Sequence, residues 1–346
     1  MTEVADDVTE RPTRTDVAAT PRDTARAADR APRSAARAAG GRPRASVSAQ
    51  WRKRLEILFF VTPALALFAL FVVTPVLQAV RYSTYKWNGL GPMDDFVGLQ
   101  NYANALRDQV FTDAVTHNLI IIVLSIVIQL PLGLAIALLL NREIRGRAVM
   151  RVIIFVPYVL AEVVAGVVWL MLLQPGGLVD AVFDGLGLSG AKELWLGDPK
   201  VALYTVMVVL TWKYLGLAII LFLAGLQGVP PDLYEAAQLD GASWWQVQRR
   251  ITIPLLGPTI RTWGFLSMIG SLQLFDMVWI LTGGGPANAT TMATFLITEG
   301  TRRSNYGIAG AASVVLFVVA LTLALLYQRF ILSRDNPDND KRKARR

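Results

Sequence analysis

The sequence predicts an all-α integral membrane protein with about six transmembrane helices, and three observations lead to this fold class. Hydrophobic residues make up 53% of the 346 residues and charged residues 17%, which is too apolar for an ordinary soluble domain. Six apolar runs each approach or exceed the ~20 residues that a helix needs to cross a bilayer. Arginine and lysine are concentrated in alternate connections between these runs, which gives one consistent orientation.

Three regions are predicted along the chain. Residues 1–50 are rich in Ala, Arg, Thr, Pro and Asp, so we expect a disordered cytoplasmic tail that cannot bury enough apolar surface to fold. Its arginines between residues 30 and 44 leave a nucleic-acid-binding arm as an alternative, which the interspersed acids disfavour. Residues 51–333 are expected to form the six-span domain, and residues 334–346 a basic cytoplasmic tail. The first apolar run begins only after Arg54, which favours an uncleaved span over a secretory signal.

The positive-inside rule orients the spans. Basic residues at Arg52–Arg54 and Asn141–Arg147 mark two cytoplasmic flanks, so both termini are predicted to be cytoplasmic. A kink is expected at Pro157 within the third span. The glycine-rich stretch Thr282–Pro286 is expected to break the chain outside the membrane. The predicted spans are about Leu55–Val80, Asn118–Leu140, Ala148–Leu173, Val201–Gln227, Ile260–Leu281 and Tyr306–Leu332.

The connection between spans four and five, Val229–Pro258, is polar and carries charges of both signs. Pro230 and Pro231 are expected to end the preceding helix. Asp232 is expected to cap a short helix, Leu233–Leu239, with Glu235 at the third position as in a capping box. On these features alone, the connection could be an amphipathic segment that lies on the membrane surface.

Three further signals divide the second half of this connection. Asp240-Gly241 is a turn signal. Ser243 is expected to cap a second helical segment, Trp244–Ile251. Pro254 is expected to stop that segment. The pattern therefore predicts two short helices around a glycine turn.

The spacing of this loop resembles the EAA loop of ATP-binding-cassette importer permeases. Glu235-Ala236-Ala237 is followed after three residues by Gly241, and after nine more by Ile251–Pro254. Ile253 and Val247 depart from the usual leucine and aromatic residue but keep the apolar character. In that family the loop forms coupling helices that dock in a groove on the ATPase subunit. The resemblance implies ATPase-coupling roles for Tyr234, Glu235, Ala236, Ala237, Asp240, Gly241, Ala242 and Pro254.

Three outlying stretches resemble the sugar-uptake, maltose-permease-like branch of the same family. They are Phe96–Tyr102, Phe155–Tyr158, and Phe275-Asp276 together with Leu281–Pro286. The resemblance implies carbohydrate import by alternating access through half of a heterodimeric pore. It also implies four kinds of partner: a second permease subunit, an ATPase dimer, an extracytoplasmic sugar-binding protein and the lipid bilayer of the cell membrane.

The residue inventory restricts the chemistry of the chain. There is no cysteine, and His117 is the single histidine, so a metal site or a nucleophile–base pair has little to be built from. No lysine follows a glycine, so a G-K-[ST] phosphate loop is excluded. We therefore expect no catalytic residue, no metal and no cofactor, with ATP bound by a partner subunit. An ion-gradient-driven secondary transporter or channel is the alternative, and Glu162 is its one candidate proton-relay acid.

Ionisable residues inside predicted spans need an explanation because a charge in the membrane is costly. Glu162, Lys213 and Asp276 are such residues. Glu162 could face the substrate path, but a structural role paired with a basic residue is favoured. For Lys213 and Asp276 a capping or inter-helix role is the simplest interpretation.

Span five has small and hydroxyl side chains on one face. Gly264, Ser267, Gly270, Ser271 and Leu274 follow 3- and 4-residue spacing. This face could pack against another helix, or it could line a sugar path with aromatic surfaces from Trp212, Tyr214 and Trp279. In maltose-type permeases the substrate contacts lie on the two spans that flank the loop. That resemblance implies a substrate path at Tyr214, Ser267, Gly270, Ser271 and Leu274.

Overall fold

The structure is a computed structural model that describes residues 47–142, 145–283 and 289–335. Of the predicted tails, residues 1–46 and 336–346 lie outside the described residues, whereas residues 47–50, predicted to be disordered, are helical. Residues 143–144 of the basic turn and residues 284–288 of the glycine-rich break also lie outside the described residues. The chain divides into two units, Met1–Thr62 and Pro63–Arg346. The described part of the first unit is helical.

The described residues are almost entirely helical, with one isolated antiparallel bridge between Tyr85 and Phe96. Four π-helical turns, at Ala69–Val73, Ser125–Gln129, Gln248–Thr252 and Thr298–Arg302, continue or connect the α-helices. The α-helices, numbered along the chain, are α1 (Val47–Phe68), α2 (Thr74–Ser83), α3 (Gln100–Arg107), α4 (Gln109–Leu124), α5 (Leu130–Leu140), α6 (Arg147–Val159), α7 (Glu162–Leu173), α8 (Leu178–Gly185), α9 (Ala202–Gln227), α10 (Asp232–Leu239), α11 (Trp244–Val247), α12 (Ile253–Leu255), α13 (Gly257–Leu272), α14 (Asp276–Thr282), α15 (Met292–Ile297) and α16 (Tyr306–Phe330).

Among the described residues, four continuous helices are long and apolar enough to cross a membrane: Leu55–Ser83, Gln109–Leu140, Ala202–Gln227 and Tyr306–Phe330. Two bent pairs raise the number to six if each pair is one span. These are α6 with α7, which meet at 97°, and α13 with α14, which meet at 45°. The prediction of an all-α membrane protein with about six spans is confirmed, with two of the spans broken.

Three of the π-helical turns are followed by a proline at the second residue after the turn: Pro75, Pro131 and Pro254. A proline has no N–H to donate, and its ring collides with the carbonyl four residues earlier. A wider turn at that point relieves the collision and lets the helix continue. The prediction that Pro254 stops the segment beginning at Trp244 is therefore wrong, because the chain stays helical through Leu255.

The bend in the third span lies between Val159 and Glu162 and not at Pro157, which is inside α6. The predicted kink site is therefore wrong. The last carbonyls of α6 have no helical partner, and the ammonium group of Lys213 on α9 takes their place. Its Nζ donates to the carbonyl oxygens of Pro157 at 3.0 Å and Tyr158 at 3.2 Å, and also to that of Leu160. The bend is thus supported by a buried cation at a helix C-terminus, where a positive charge is favourable.

The backbone carbonyls at the break in the fifth span accept hydrogen bonds from side chains of two other segments. Asn118 of α4 donates from Nδ2 to the carbonyl of Ser271 at 2.6 Å and accepts from the Met292 N–H at 2.8 Å. The hydroxyl of Thr291 donates to the carbonyl of Leu274 at 2.7 Å. The segment around α15 was not predicted from the sequence. It is buried, because Thr291 and Thr294 are both 0% exposed.

Helix α9 is central to the second unit. It packs against α5, α6, α13 and α14, and two apolar clusters meet on it. One cluster surrounds Val206–Leu210 and includes residues of α7 and α14. The other surrounds Ala218–Leu226 and includes residues of α5 and α13. A helix that is apolar all round is expected in such a buried position.

Candidate functional site

The loop between α9 and α13 begins with a helix that ends in a glycine turn. Gly241 has φ +71°, its N–H donates to the Gln238 carbonyl at 3.0 Å, and the Ala242 N–H donates to the Ala237 carbonyl at 2.9 Å. This pair of bonds is a Schellman motif, which needs a left-handed residue where the helix ends. The predicted turn at Asp240-Gly241 is confirmed.

The two helix starts in this loop gave different outcomes. Ser243 caps α11 as predicted, because its Oγ accepts from the Gln246 N–H while the Gln246 side chain accepts from the Ser243 N–H. The predicted cap at Asp232 is wrong. Asp232 is the first residue of α10, Pro231 precedes it, and that position makes no side-chain capping bond. Asp232 and Glu235 instead lie in the first turn, where the helix dipole favours negative charge.

The loop presents an apolar tip to its surroundings. Leu239 is 90% exposed and Trp245 is 61% exposed. Ala237 is buried, and the Thr252 hydroxyl donates to the Tyr234 hydroxyl at 3.4 Å. The inner side of the loop is therefore attached to the protein, while large apolar side chains of the loop remain exposed. Of the residues predicted to couple to an ATPase, Ala237 is buried, Tyr234 and Ala242 are partly exposed, and the others are exposed: Glu235, Ala236, Asp240, Gly241 and Pro254.

A cavity of about 400 Å³ lies between α4, α9, α13 and the end of α6. All five residues of the predicted substrate path line it, although the sequence places them on two separate spans. Its complete lining is Ile121, Ser125, Gln129, Tyr158, Leu210, Tyr214, Leu217, Trp263, Leu266, Ser267, Gly270, Ser271 and Leu274.

The aromatic part of this lining differs from the one predicted. Tyr214 lines the cavity together with Tyr158 and Trp263. Trp212 instead packs edge-on against Trp169, with ring centroids 5.4 Å apart. Trp279 lies under the guanidinium group of Arg302 at 4.6 Å. The prediction that Trp212 and Trp279 provide the aromatic surface is therefore wrong.

The polar part of the lining includes two residues that sequence reasoning missed. Ser125 and Gln129 belong to the π-helical turn between α4 and α5, and both are 4% exposed. The Ser125 Oγ lies 2.7 Å from the Ser267 Oγ and donates to the Gln129 Oε1 at 3.0 Å. The available signal was two polar side chains, four residues apart, inside an apolar run.

The small-residue face of span five serves both of the predicted purposes. A Cβ added at Gly264 would lie 2.7 Å from the Tyr327 hydroxyl of α16, so this glycine allows close helix packing. A Cβ added at Gly270 meets nothing within 4 Å, because Gly270 faces the cavity. The packing surface and the cavity wall are therefore neighbouring parts of one helix.

Two of the three ionisable residues of the spans, Glu162 and Lys213, have partners within the protein. The carboxylate Oε1 of Glu162 accepts from the Tyr214 hydroxyl at 3.0 Å and lies 3.7 Å from the Lys213 ammonium. Asp276 is the exposed first residue of α14, where an anion is favoured. His117 is hydrogen-bonded through Nδ1 to the Thr290 carbonyl at 2.9 Å. No group of three or more metal-ligating side chains occurs among the described residues.

The connection from α7 to α9 is stabilised by hydrogen bonds and an ion pair within it. Asp180 accepts from the Gly176 N–H and from the Trp195 Nε1, each at 2.8 Å. These two bonds stabilise the ionised carboxylate and lower its pKa from the ordinary value of 3.8. Asp184 pairs with the Lys192 ammonium at 2.9 Å, and this pair lowers the pKa of the carboxyl and raises that of the amine.

Comparisons with known proteins agree with this arrangement. Residues 129–334 match the model of a family described as binding-protein-dependent transport system inner membrane component. The trehalose/maltose transport system permease protein MalF of Thermococcus litoralis is 34% identical over 268 residues, which cover 77% of this chain and 90% of that protein. The diacetylchitobiose uptake system permease protein NgcF of Streptomyces coelicolor is 34% identical over 290 residues, covering 80% and 82%.

A chain of known structure shares this fold, and nearly the whole length of that chain is matched. It is a chain of a bacterial ABC transporter involved in the import of the acidic polysaccharide alginate. The TM-score is 0.73 at 24% sequence identity, and the match covers 83% of this chain and 99% of that chain. The likeness shows that the arrangement of bent and continuous helices is a known one.

Proposed function

The chain belongs to the family of binding-protein-dependent transport system inner membrane components, and we propose that it forms half of the translocation pathway of an ATP-driven carbohydrate importer. Such a subunit is a permease and not an enzyme. Relatives that are about a third identical are named for the transport or uptake of trehalose, maltose and diacetylchitobiose. These names support a carbohydrate as the cargo.

One observation carries the proposal: the cavity lies between the two helices that flank the exposed loop. Tyr214 on α9 and Ser267 on α13 both line the cavity, and the same helices lead directly into the loop. Thirteen helical residues separate Tyr214 from the end of α9 at Gln227, a distance of about 20 Å. A displacement of the loop can therefore reach the cavity wall through continuous helix. The lining combines serine and glutamine side chains with tyrosine and tryptophan rings, which also suits a sugar with its hydroxyl groups and apolar C–H faces.

We assign the loop to the ATPase contact. Its exposed tip at Leu239 and Trp245 offers apolar surface to a partner, and Glu235, Ala236, Asp240 and Gly241 lie on the same exposed segment. ATP is then bound by the partner subunits and not by this chain, which has no phosphate-binding loop of the G-K-[ST] type. A second permease subunit completes the pathway, and an extracytoplasmic binding protein delivers the sugar.

We propose that the loop lies on the cytoplasmic side, and its basic residues support this orientation. Arg249 and Arg250 lie at the end of the loop, and Arg142 and Arg145 lie in the turn between spans two and three. The positive-inside rule then puts both termini in the cytoplasm of a cell in which the protein spans the plasma membrane.

The test is uptake of labelled maltose, trehalose and lactose by cells that express this chain with a second permease, an ATPase and a binding protein from the same organism. We expect uptake of a sugar that stops when the ATPase gene alone is omitted and continues when the proton gradient is collapsed. Uptake that persists without the ATPase and stops with the gradient would favour the alternative, an ion-gradient-driven secondary transporter.

A further inference from the structure

We propose that Ser125 and Gln129 in the second span form a specificity-determining edge of the cavity that selects a neutral sugar by its hydroxyl groups. The proposal rests on the carbohydrate function above and adds a residue pair and a substrate class to it. Both side chains line the cavity and are otherwise enclosed by protein, because each is 4% exposed.

The hydrogen bonds of this edge have a defined direction. The single hydroxyl hydrogen of Ser125 is donated to the Gln129 Oε1. In the 2.7 Å contact between the Ser125 and Ser267 hydroxyls, Ser267 must then be the donor. The Ser271 hydroxyl donates to the Ser267 carbonyl at 2.8 Å. The hydroxyl hydrogens of all three serines are therefore used within the protein, and their oxygens remain as acceptors toward the cavity.

Gln129 supplies the complementary donor. Its Nε2 carries two hydrogens, and its partner in the described part of the chain is the Thr211 hydroxyl at 3.5 Å, a distance at which a hydrogen bond is weak. The amide can therefore turn a hydrogen toward a ligand. A sugar hydroxyl both donates and accepts, so it can take a hydrogen from Gln129 and give one to a neighbouring serine oxygen.

The charge of the cavity selects against acidic sugars. None of the described residues that line it is charged. The Lys213 ammonium nearby is 1% exposed and is directed at the carbonyls of Pro157 and Tyr158, so it does not face a ligand. A carboxylate has no hydrogen to give to the serine oxygens, and its charge would lose solvation without gaining a cation. A neutral sugar meets neither penalty.

The experiment measures equilibrium binding to the purified complete transporter in lipid nanodiscs, without the binding protein, which would otherwise set the apparent affinity. The probes are labelled maltose, trehalose and lactose, with an alginate oligosaccharide as the acidic competitor. We expect a neutral disaccharide to bind and the alginate oligosaccharide not to compete. Gln129→Met, which keeps the volume but has no donor, should weaken binding about 2- to 10-fold, the range of one hydrogen bond. Ser125→Ala should weaken it by a similar factor.

Val127→Ala is the matched control, because Val127 lies in the same π-helical turn, is 61% exposed and does not line the cavity. It should leave the affinity unchanged. Unaltered affinity in both Gln129→Met and Ser125→Ala overturns the proposal, and so does loss of transporter assembly in both, which would make the pair a packing element. Preferred binding of the alginate oligosaccharide overturns the neutral class while leaving carbohydrate import intact. A wild-type transporter that binds and transports no sugar overturns the proposed function itself.

Discussion

Replacing Lys213 by methionine tests how the third span tolerates its 97° bend. Lys213 is 1% exposed, and its ammonium holds the carbonyls of Pro157, Tyr158 and Leu160 where α6 ends. It also lies 3.7 Å from Glu162, whose side chain is 32% exposed. The substitution therefore removes two different interactions, the cap on the carbonyls and the ion pair, and these can be separated.

The two interactions differ in expected size. A buried carbonyl left without a donor costs about 1–3 kcal/mol, and three are affected at once, although partial access of water lowers their sum. The ion pair contributes only up to about 1 kcal/mol, because Glu162 is one-third exposed and its charge is partly screened. We therefore expect Lys213→Met to cost about 3–5 kcal/mol, most of it from the three carbonyls. Glu162→Gln keeps an oxygen for the Tyr214 hydroxyl and should cost about 1 kcal/mol or less.

The measurement is the free energy of unfolding of the purified subunit, titrated with SDS in mixed micelles and followed by tryptophan fluorescence. The two single variants and the double variant form a cycle that isolates the coupling between Lys213 and Glu162. Equal costs for the two single substitutions, or a coupling as large as the whole effect of Lys213→Met, would show that the ion pair dominates and that capping is secondary.

Four further predictions concern coupling, substrate handling, acid stability and the tail. The Gly241→Val variant should insert normally but lose ATPase association and transport, because the left-handed conformation costs an L-residue roughly 1–2 kcal/mol. Gly241→Asn is the control, since asparagine tolerates this conformation. Equal loss of transport in both variants would contradict the proposed role of the turn. Ser271→Ala should weaken the affinity for the sugar, while the loss of its hydrogen bond should cost only about 0.6 kcal/mol of stability. Lost assembly with unchanged affinity would favour a packing role for Ser271. The pKa of Asp180 is lowered in the folded protein, so its ionised carboxylate stabilises the fold above pH ~4. This stabilisation is lost as the pH falls further. The fluorescence of Trp195 should change with pH as this stabilisation is lost. An unchanged pH profile of the fluorescence in Asp180→Asn would contradict the assignment to Asp180. Deletion of residues 2–49 should leave expression and uptake close to normal, and a large loss of either would reveal a partner of the tail.

The helices and the loop could be predicted because their signals are local. The length of the apolar run predicts a fourth span that begins at Val201, and the observed helix α9, Ala202–Gln227, begins one residue later. Gly241 and Ser243 act through bonds to residues within five positions. Local patterns of this kind depend on the chain near them and not on the rest of the fold.

The breaks could not be placed because their causes are distant in sequence. The bend after α6 depends on Lys213, more than fifty residues away, and proline alone pointed to the wrong residue. The break after α13 depends on Asn118, whose partner Ser271 is 153 residues along the chain. The buried segment around α15 contains many threonines, which resemble a polar loop until their hydroxyls are known to be bonded internally. The polar edge at Ser125 was missed for the same reason, since Ser267 is 142 residues away.

Three of the irregular backbone positions of the spans adjoin the cavity. The bend after α6 follows Tyr158, the break after α13 adjoins Leu274, and the π-helical turn holds Ser125, and each of these residues lines the cavity. Irregular backbone at membrane depth is stable only where protein or a cavity covers it, and a cavity wall is one place where it can occur. Helix α9 is continuous over 26 residues, and its last 13 residues lead from Tyr214 at the cavity to the loop. A continuous helix between the loop and the cavity can carry a displacement of the loop to the cavity wall, which is the mechanical requirement for coupling an ATPase to a transport site.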